Sequence, residues 1–553
     1  MSNIGDPGEA TPDHPSNPGP NPGPNPGPER DRGPEPEPGQ GPAPRKKQSE
    51  AEQAGVLVWG KITASLAEVL APLLIVRLLG KGEVGAVAGL LLIYATLATV
   101  LTAGFPRATL YFLAERERAE RRAVVIKLVR IMAVLSVGMG IMLALVGWLG
   151  DDVLRVFGEL LSGEAAREDD ELVDSLKYLP ILGLYALVDL PTRLLPNILV
   201  AEERARASAG FGVVRSLVTT VAMIIPASLN MGVLGIVTAT AVVGLLPFWL
   251  FIRHLWRLYA DAGEPAQPVA SSRELIRYSI PLGVTDIVSM LNASVDMWLI
   301  VALFPAEIVA LYRAGAFQIP IVTTVAYSLG AVYLPRFTRM HREGEYREAV
   351  EIWRNSIIKV SLIVVPTSMV FFVGADQFVT LAFTEDYAGS APVFRFYCLL
   401  MMARISAFGS FMLAAGKPDF VMRSALLTLG ANIVISVPLA LGVGFIGPAM
   451  GTAVAFVPTL LFYCWYIARA WKVRLRDTLP LLGYLKVVAA AALPGAAAWW
   501  LTEQLALGSV LALVVITLVV MLGFALVGTL FGLIDGEDWR FAWSWVRLKV
   551  LQD

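Results

Sequence analysis

The chain has 553 residues, of which 56% are hydrophobic and 16% are charged, and its mean hydropathy is +0.62. A soluble protein of ordinary composition has about a quarter charged residues, so the composition excludes an ordinary soluble domain. The formal net charge of −1 says nothing about partners, and we expect no nucleic-acid ligand.

The first 50 residues read as a proline- and glycine-rich tail. Residues 17–28 repeat Asn-Pro-Gly-Pro, a composition that cannot pack a core and is expected to be disordered or extended. No apolar run follows a basic start, so no signal peptide is predicted. Arg45, Lys46 and Lys47 precede the first apolar segment, which predicts a cytoplasmic N-terminus.

Fourteen apolar segments are long enough to cross ~30 Å of hydrocarbon. They predict an all-α polytopic membrane protein with about 14 transmembrane helices, followed by an interfacial cytoplasmic helix at 535–553 that is rich in Trp and basic residues. Most Lys and Arg residues lie in loops that follow even-numbered segments, which places those loops and both termini in the cytoplasm. The predicted segments are 56–79, 84–104, 123–149, 176–200, 209–229, 231–252, 275–303, 308–335, 355–374, 391–415, 419–441, 445–468, 481–501 and 507–533.

An internal repeat relates the two halves of the chain. Residues 225–242 and 437–454 share Pro, Leu, Gly and Thr-Ala-Val positions at a constant spacing of 212 residues. Six segments separate the copies, so we predict two parallel six-helix lobes with the substrate site between them. The alternative to a true repeat is that similar glycine-rich helix packing arose independently in the two halves. The predicted lobes are residues 56–252 and 275–468, and two additional helices occupy 481–533.

Charged and polar residues interrupt the apolar character of residues 278–339. Charge at membrane depth is costly, so a functional role is the default hypothesis, and a buried structural ion pair is the alternative. Asp296 and Arg313 lie at similar distances from the turn at Pro305, which predicts that they form an ion pair. At about 100° per residue, two polar stripes result: Asp286, Ser289, Asn292 and Asp296 on one helix, and Arg313, Thr324, Tyr327 and Ser328 on the next.

The usual motifs of enzymes and metal sites are missing from the sequence. Cys398 and Cys464 both lie in apolar segments, which argues against a disulfide framework. The three histidines are far apart, and neither a phosphate-binding loop nor a nucleophile motif is present. We therefore expect a protein that is not an enzyme and has neither a cofactor nor a metal site.

Four motifs resemble the polysaccharide flippase family, the O-antigen type within the multidrug/oligosaccharidyl-lipid/polysaccharide (MOP) exporter superfamily. They are VRLLGKGEVGAVAGLLLIYATLATVLTAGFPRATLYFLAE, SIPLGVTDIVSMLNASVDMWLI, LYRAGAFQIP with YLPRFTRM, and FMLAAGKPD with GFIGPAMGTAVA. Their order and spacing cover roughly residues 56–470. Val84 replaces the commoner aromatic or polar residue of the first motif, and the proline-rich tail is no part of the pattern.

The resemblance implies a flippase in the inner membrane of a bacterium. It would move undecaprenyl-diphosphate-linked oligosaccharide repeat units to the periplasmic leaflet for O-antigen, capsule or exopolysaccharide synthesis, by alternating access between two lobes in a V shape. The protein would contact membrane lipids. A polysaccharide polymerase is a candidate protein partner. A lipid II flippase and, less favoured, a multidrug or cation antiporter of the same superfamily remain alternatives.

A diphosphate headgroup needs cations in a wet lumen, and Arg suits phosphate because its guanidinium forms two parallel hydrogen bonds. Asp189 and Arg193, four residues apart, alternatively neutralise each other, and Lys61 and Arg215 alternatively extend to the membrane surface. The candidate substrate-binding residues are Arg313, Arg404, Arg193, Arg215, Lys61 and Tyr327. The candidates for binding a coupling proton or sodium ion, or for forming a gate, are Asp296, Asp286, Glu68 and Asp189.

Overall fold

The computed structural model describes residues 63, 70–102, 104–114, 116–162, 171–264, 270–406 and 408–536, without the side chains of 150–162, 320–329, 331–332 and 418. In these ranges the chain forms helices joined by short turns and has no β-strand, which confirms the predicted all-α class. The predicted tail, most of the first predicted segment and nearly all of the interfacial helix lie outside the described residues.

After a short helical run at 70–75, the described N-terminal half contains nine α-helices with defined bounds and the 3-10 helix Leu176–Tyr178. The nine α-helices are α1 (Lys81–Thr102), α2 (Phe105–Leu113), α3 (Arg118–Ser162), α4 (Glu171–Ser175), α5 (Leu179–Thr192), α6 (Leu195–Ala201), α7 (Ala205–Ser228), α8 (Gly232–Val243) and α9 (Leu245–Tyr259).

The C-terminal half continues with eleven described helices. They are α10 (Ser272–Leu303), α11 (Ala306–Gly315), α12 (Pro320–Glu343), α13 (Tyr346–Val373), α14 (Ala375–Phe383), α15 (Ala391–Ala403), α16 (Phe408–Ala414), α17 (Pro418–Val443), α18 (Gly447–Ala470), α19 (Leu481–Leu505) and α20 (Ser509–Leu530). The last two helices pack on α13 around Val365, Met369, Val487 and Ile516, all of which are buried.

Twelve helical stretches in the described part are long and apolar enough to cross a membrane, and they coincide with twelve of the fourteen predicted segments. The eighth predicted segment, 308–335, is not one continuous helix, because α11 ends at Gly315 and α12 begins at Pro320. A residue before proline is driven out of the helical region, and Ile319 has extended backbone angles of −72° and 112°. Hydropathy alone did not reveal this interruption.

The spacing of 212 residues connects positions with the same local structure. Gly232 and Gly444 both have positive φ, at 61° and 87°, a conformation that glycine adopts without a steric cost. Pro180 and Pro392 both stand in the first turn of their helices, α5 and α15. Both helices then stop inside a predicted segment, α5 at Thr192 and α15 at Ala403. Each predicted lobe therefore contains one interrupted helix at the corresponding place.

Helices α1 and α2 of the predicted N-terminal lobe contact α10 and α11 of the predicted C-terminal lobe. Gly85 of α1 lies against the backbone of Ala306, so close that an added Cβ would stand 1.7 Å from the Ala306 carbonyl oxygen. Gly104, with φ of 75°, approaches the backbone of Gly283 in the same way. These two glycines permit backbone contact at both ends of α1.

Candidate functional site

The first candidate site surrounds Asp189 of α5, whose side chain is only 2% exposed. Each of its carboxylate oxygens accepts from one arginine and one tyrosine. Oδ2 accepts from Arg193 at 2.9 Å and from the Tyr94 hydroxyl at 2.8 Å. Oδ1 accepts from Arg215 at 2.6 Å and from the Tyr185 hydroxyl at 3.3 Å. One carboxylate thus faces two guanidinium groups, and the cluster has one excess positive charge.

The Asp189 cluster is assembled from three helices and the interruption that follows α5. Arg193 directly follows α5, in the interruption before α6, whereas Arg215 projects from α7 and Tyr94 from α1. Asp189 and Arg193 do pair as their spacing predicted, but they do not merely neutralise each other, because Arg215 joins them. Beside the cluster is a small pocket lined by hydroxyl and apolar groups, including Thr192, Thr219, Ala222, Thr240 and Pro247.

The second candidate site surrounds Asp296 of α10, which is 5% exposed. Its Oδ2 accepts from the Tyr312 hydroxyl of α11 at 3.0 Å and from the Tyr397 hydroxyl of α15, and its Oδ1 accepts from the backbone N–H of Met297 at 2.9 Å. No cation in the described part of the chain forms an ion pair with Asp296.

The predicted ion pair between Asp296 and Arg313 is wrong. Tyr312 occupies the side of α11 that faces Asp296, and the next residue points about 100° around the helix. Arg313 is exposed and makes no ion pair with any residue that the structure describes. Equal height along two helices was therefore not enough to bring the two charges together.

The predicted polar stripe of α10 does not face a single cavity. Asp286 forms a 2.7 Å ion pair with Arg107 of α2, and Asn292 donates to the backbone carbonyl of Ala425 in α17 at 2.8 Å. Exposure falls from Asp286, with 23% of its side chain accessible, to the buried Asp296. The stripe residues instead contact different helices: Asp286 contacts α2, Asn292 contacts α17 and Asp296 contacts α11.

Arg404 lies at the interruption between α15 and α16 and is partly buried. Its guanidinium is 5.9 Å from the ring centre of Phe456 in α18 and is close enough to Tyr397 to act on its hydroxyl electrostatically. Of the other predicted site residues, Lys61, Glu68 and the side chain of Tyr327 lie outside the described part of the chain.

Tyr185 shares one face of the fourth predicted segment with Asp189 and Arg193, whereas Tyr94, Tyr312, Tyr397 and Arg107 were missed in the sequence. Tyr185 and Tyr397 are separated by 212 residues, the spacing of the internal repeat, and each binds a buried aspartate. The repeat spacing was therefore the sequence signal that could have related Tyr397 to Tyr185. Nothing in the sequence distinguished Tyr94, Tyr312 or Arg107 from other residues of their types.

Two family models and one curated relative are similar to parts of this chain. The model of the family described as polysaccharide biosynthesis protein matches residues 51–341, and the model of the lipid II flippase MurJ matches residues 269–520. A curated relative from Haloferax volcanii, the probable low-salt glycan biosynthesis flippase Agl15, is 20% identical over 205 residues. That match covers 36% of this chain and 42% of the relative, so it spans less than half of the relative's length.

Two solved structures show the fold. The lipid II flippase MurJ in an inward closed conformation has a TM-score of 0.67 and 13% identity, covering 86% of this chain and 98% of its own. An inward-facing multidrug resistance MATE family transporter of the MOP superfamily has a TM-score of 0.57 and 18% identity, covering 74% and 96%. The first family model matches more than half of the chain. The chain therefore belongs to the family of polysaccharide biosynthesis proteins and has the fold of MOP superfamily transporters, which confirms the resemblance drawn from its motifs.

Proposed function

We propose that this protein is a flippase that moves a lipid-linked glycan across the membrane it spans. The observation that carries the proposal is the combination of a polysaccharide biosynthesis family match with a transporter fold. The curated relative named as a glycan biosynthesis flippase supports the same activity. The specific substrate that we propose is an undecaprenyl-diphosphate-linked oligosaccharide, moved outward across a bacterial inner membrane.

The arginines of the candidate site suit the diphosphate of such a substrate. The Asp189 cluster has one excess positive charge beside a pocket with threonine hydroxyls. Arg313 is exposed and has no ion-pair partner among the described residues. Arg404 stands where a helix is interrupted, and interrupted helices with unpaired backbone groups form the binding sites of many transporters. Phosphate binding by these arginines would use two parallel hydrogen bonds to one guanidinium.

A second candidate substrate is lipid II. The observation that favours it is the match of the MurJ family model to residues 269–520, a range that contains both Arg313 and Arg404. Lipid II is also a glycan joined to a lipid by a diphosphate, so the same arginines would bind its headgroup. The two substrates differ in their sugars, and a comparison of both in one transport assay distinguishes them.

Replacing Arg313 or Arg404 with Ala is expected to lower the rate of glycan-lipid translocation about 10- to 100-fold. A hydrogen bond to a charged group contributes about 1.5–3 kcal/mol, and each 1.4 kcal/mol corresponds to about a factor of ten. Lys should restore only part of the rate, because it lacks the planar guanidinium. The rate is measured in proteoliposomes with a fluorescent undecaprenyl-diphosphate-linked oligosaccharide, and in parallel with lipid II.

The matched control is Arg469→Ala, which removes a guanidinium that lies 4.8 Å from the Trp465 ring at the end of α18. This variant should translocate the substrate at the rate of the unmodified protein. Unmodified rates in both the Arg313 and the Arg404 variants would exclude these two residues from headgroup binding.

A further inference from the structure

Two tyrosines stack on each other where the predicted lobes meet. Tyr111 of α2 and Tyr278 of α10 have ring centres 4.2 Å apart, and their planes are inclined by only 13°. The buried ring of Phe112 meets Tyr278 edge-on at 5.2 Å and supports one side of the pair. Neither tyrosine is part of the Asp189 site or the Asp296 site, so the stack is a separate feature of the contact between α2 and α10.

The tyrosine pair lies on a surface that water reaches. Arg107 precedes Tyr111 by four residues on α2, so both side chains project from one side of that helix. The Arg107 guanidinium is paired with Asp286 of α10 at 2.7 Å, and the arginine side chain is still 59% exposed. An exposed charge is costly in hydrocarbon, so this side of α2 faces water rather than lipid. Tyr111 is itself 60% exposed and Tyr278 is 37% exposed.

The stack stands at one end of the contact between the two helices. Tyr111 lies in the last turn of α2, and Tyr278 lies in the first two turns of α10. This end is the predicted cytoplasmic one, because basic residues flank both helices there. The stack is therefore expected at the inner mouth of the space between the lobes. The flanking basic residues are Arg116, Arg118, Arg273 and Arg277.

Exposed tyrosine rings suit the apolar face of a sugar. One face of a pyranose ring presents several C–H groups with a partial positive charge, and the face of an aromatic ring is electron-rich. The hydroxyls of Tyr111 and Tyr278 form no hydrogen bond with another residue in the described part of the chain, so both can bond to sugar hydroxyls. The guanidinium and carboxylate groups beside the stack are further partners for such hydroxyls. This surface therefore combines the groups that a carbohydrate site requires.

The two rings leave no room for a sugar between them in this structure. A ring held between two tyrosines needs their planes about 7–8 Å apart, twice the optimal distance between carbon atoms, whereas the ring centres are 4.2 Å apart. Separation of α2 from α10 would uncover one face of each tyrosine. In the stacked arrangement each ring covers the face that the other would offer to a sugar.

We propose that Tyr111 and Tyr278 form a carbohydrate-binding platform for a pyranose ring of the lipid-linked glycan, a proposal that rests on the proposed flippase function. The sugar binds while the lobes are separated on this side, and the two rings stack again after it has left. Because the sugar binds only the separated arrangement, it shifts the population toward that arrangement. The platform recognises the sugar, whereas the arginines of the proposed function bind the diphosphate.

Equilibrium binding to the purified full-length protein in nanodiscs tests the platform with two ligands that differ only in their sugars. One is an undecaprenyl-diphosphate-linked oligosaccharide, and the other is undecaprenyl diphosphate. The measured quantity is the ratio of the two Kd values, because loss of the stack also favours separated lobes and thereby changes the affinity for both ligands alike. We expect Tyr111→Leu and Tyr278→Leu each to reduce the preference for the glycan-bearing lipid about 3- to 10-fold.

Two kinds of control accompany these variants. Tyr111→Phe and Tyr278→Phe keep the aromatic face and should retain most of the preference, which separates stacking from mere apolar contact. Trp256→Ala removes an aromatic ring of α9 that is 73% exposed and has no part in the stack, and it should leave the ratio unchanged. The affinity for undecaprenyl diphosphate shows whether each variant is folded, and either leucine variant alone answers the question if the other does not fold.

Three results would overturn the platform. They are a preference that the leucine variants leave unchanged, leucine variants that bind as the phenylalanine variants do, and an unmodified protein that binds both ligands equally well. The last result would leave the proposed function intact, whereas binding of neither ligand would overturn both proposals. Binding requires no transport. A protein whose sugar-dependent binding is weakened by leucine but that moves no glycan lipid in proteoliposomes would therefore disprove the flippase function alone.

Discussion

Replacing Asp189 with Ala is expected to destabilise the protein by about 3–5 kcal/mol, the usual effect of removing one partner from a buried ion pair. The substitution leaves Arg193 and Arg215 facing each other without their shared carboxylate, and it removes the acceptor of Tyr94 and Tyr185. The midpoint of thermal unfolding in detergent should fall sharply, and less protein should reach the membrane.

The control for this experiment is Tyr94→Phe, which removes one hydrogen-bond donor to Asp189 and leaves both ion pairs intact. It should destabilise the protein by about 1 kcal/mol. An Asp189→Ala variant that unfolds at the same temperature as Tyr94→Phe would show that the two arginines do not depend on the carboxylate.

Replacing Gly85 with Val is expected to separate α1 from α11. Even the first side-chain carbon would stand 1.7 Å from the carbonyl oxygen of Ala306. Overpacking costs about 1–3 kcal/mol, so the population in which these helices touch should fall about 5- to 150-fold relative to separated states. Translocation should fall with it if alternating access requires this contact.

Pulsed electron paramagnetic resonance measures this change directly. Spin labels are placed at Leu78 and Leu381, two exposed positions. The neighbouring Arg77 keeps its 2.7 Å hydrogen bond from the guanidinium to the Leu381 carbonyl. The short distance should dominate in the labelled parent protein and be largely lost in Gly85→Val. Gly138→Val, where an added Cβ meets nothing within 4 Å, should leave the distance unchanged. An unchanged distance in Gly85→Val would contradict the expected separation.

The sequence predicted much of the fold because membrane spans have a strong compositional signal. Residues 316–319 escaped this signal, since the interruption depends on Pro320 and on the backbone of Ile319 rather than on hydropathy. The repeat was visible in glycine and proline positions because positive φ at Gly232 and Gly444 restricts the residue type.

The candidate site was only partly predictable. Asp189 and Arg193 could be paired because they are four residues apart in sequence, whereas the contribution of Arg215 depends on where α7 lies in the fold. Asp296 was singled out as a charge within an apolar segment, and it is buried in the structure, but its tyrosine partners were not identified. The partner on α11 depends on which side of α11 faces α10, and the distance from a turn does not fix that rotation.

The most direct test of the proposed function is the location of the lipid-linked glycan in cells that lack this protein. We expect surface polysaccharide to be lost and its lipid-linked repeat unit to accumulate on the cytoplasmic side of the membrane, with recovery when the unmodified gene is returned and poor recovery with Arg404→Ala. Normal surface polysaccharide, without accumulation of any lipid-linked glycan on the cytoplasmic side, would contradict a role as a glycan-lipid flippase.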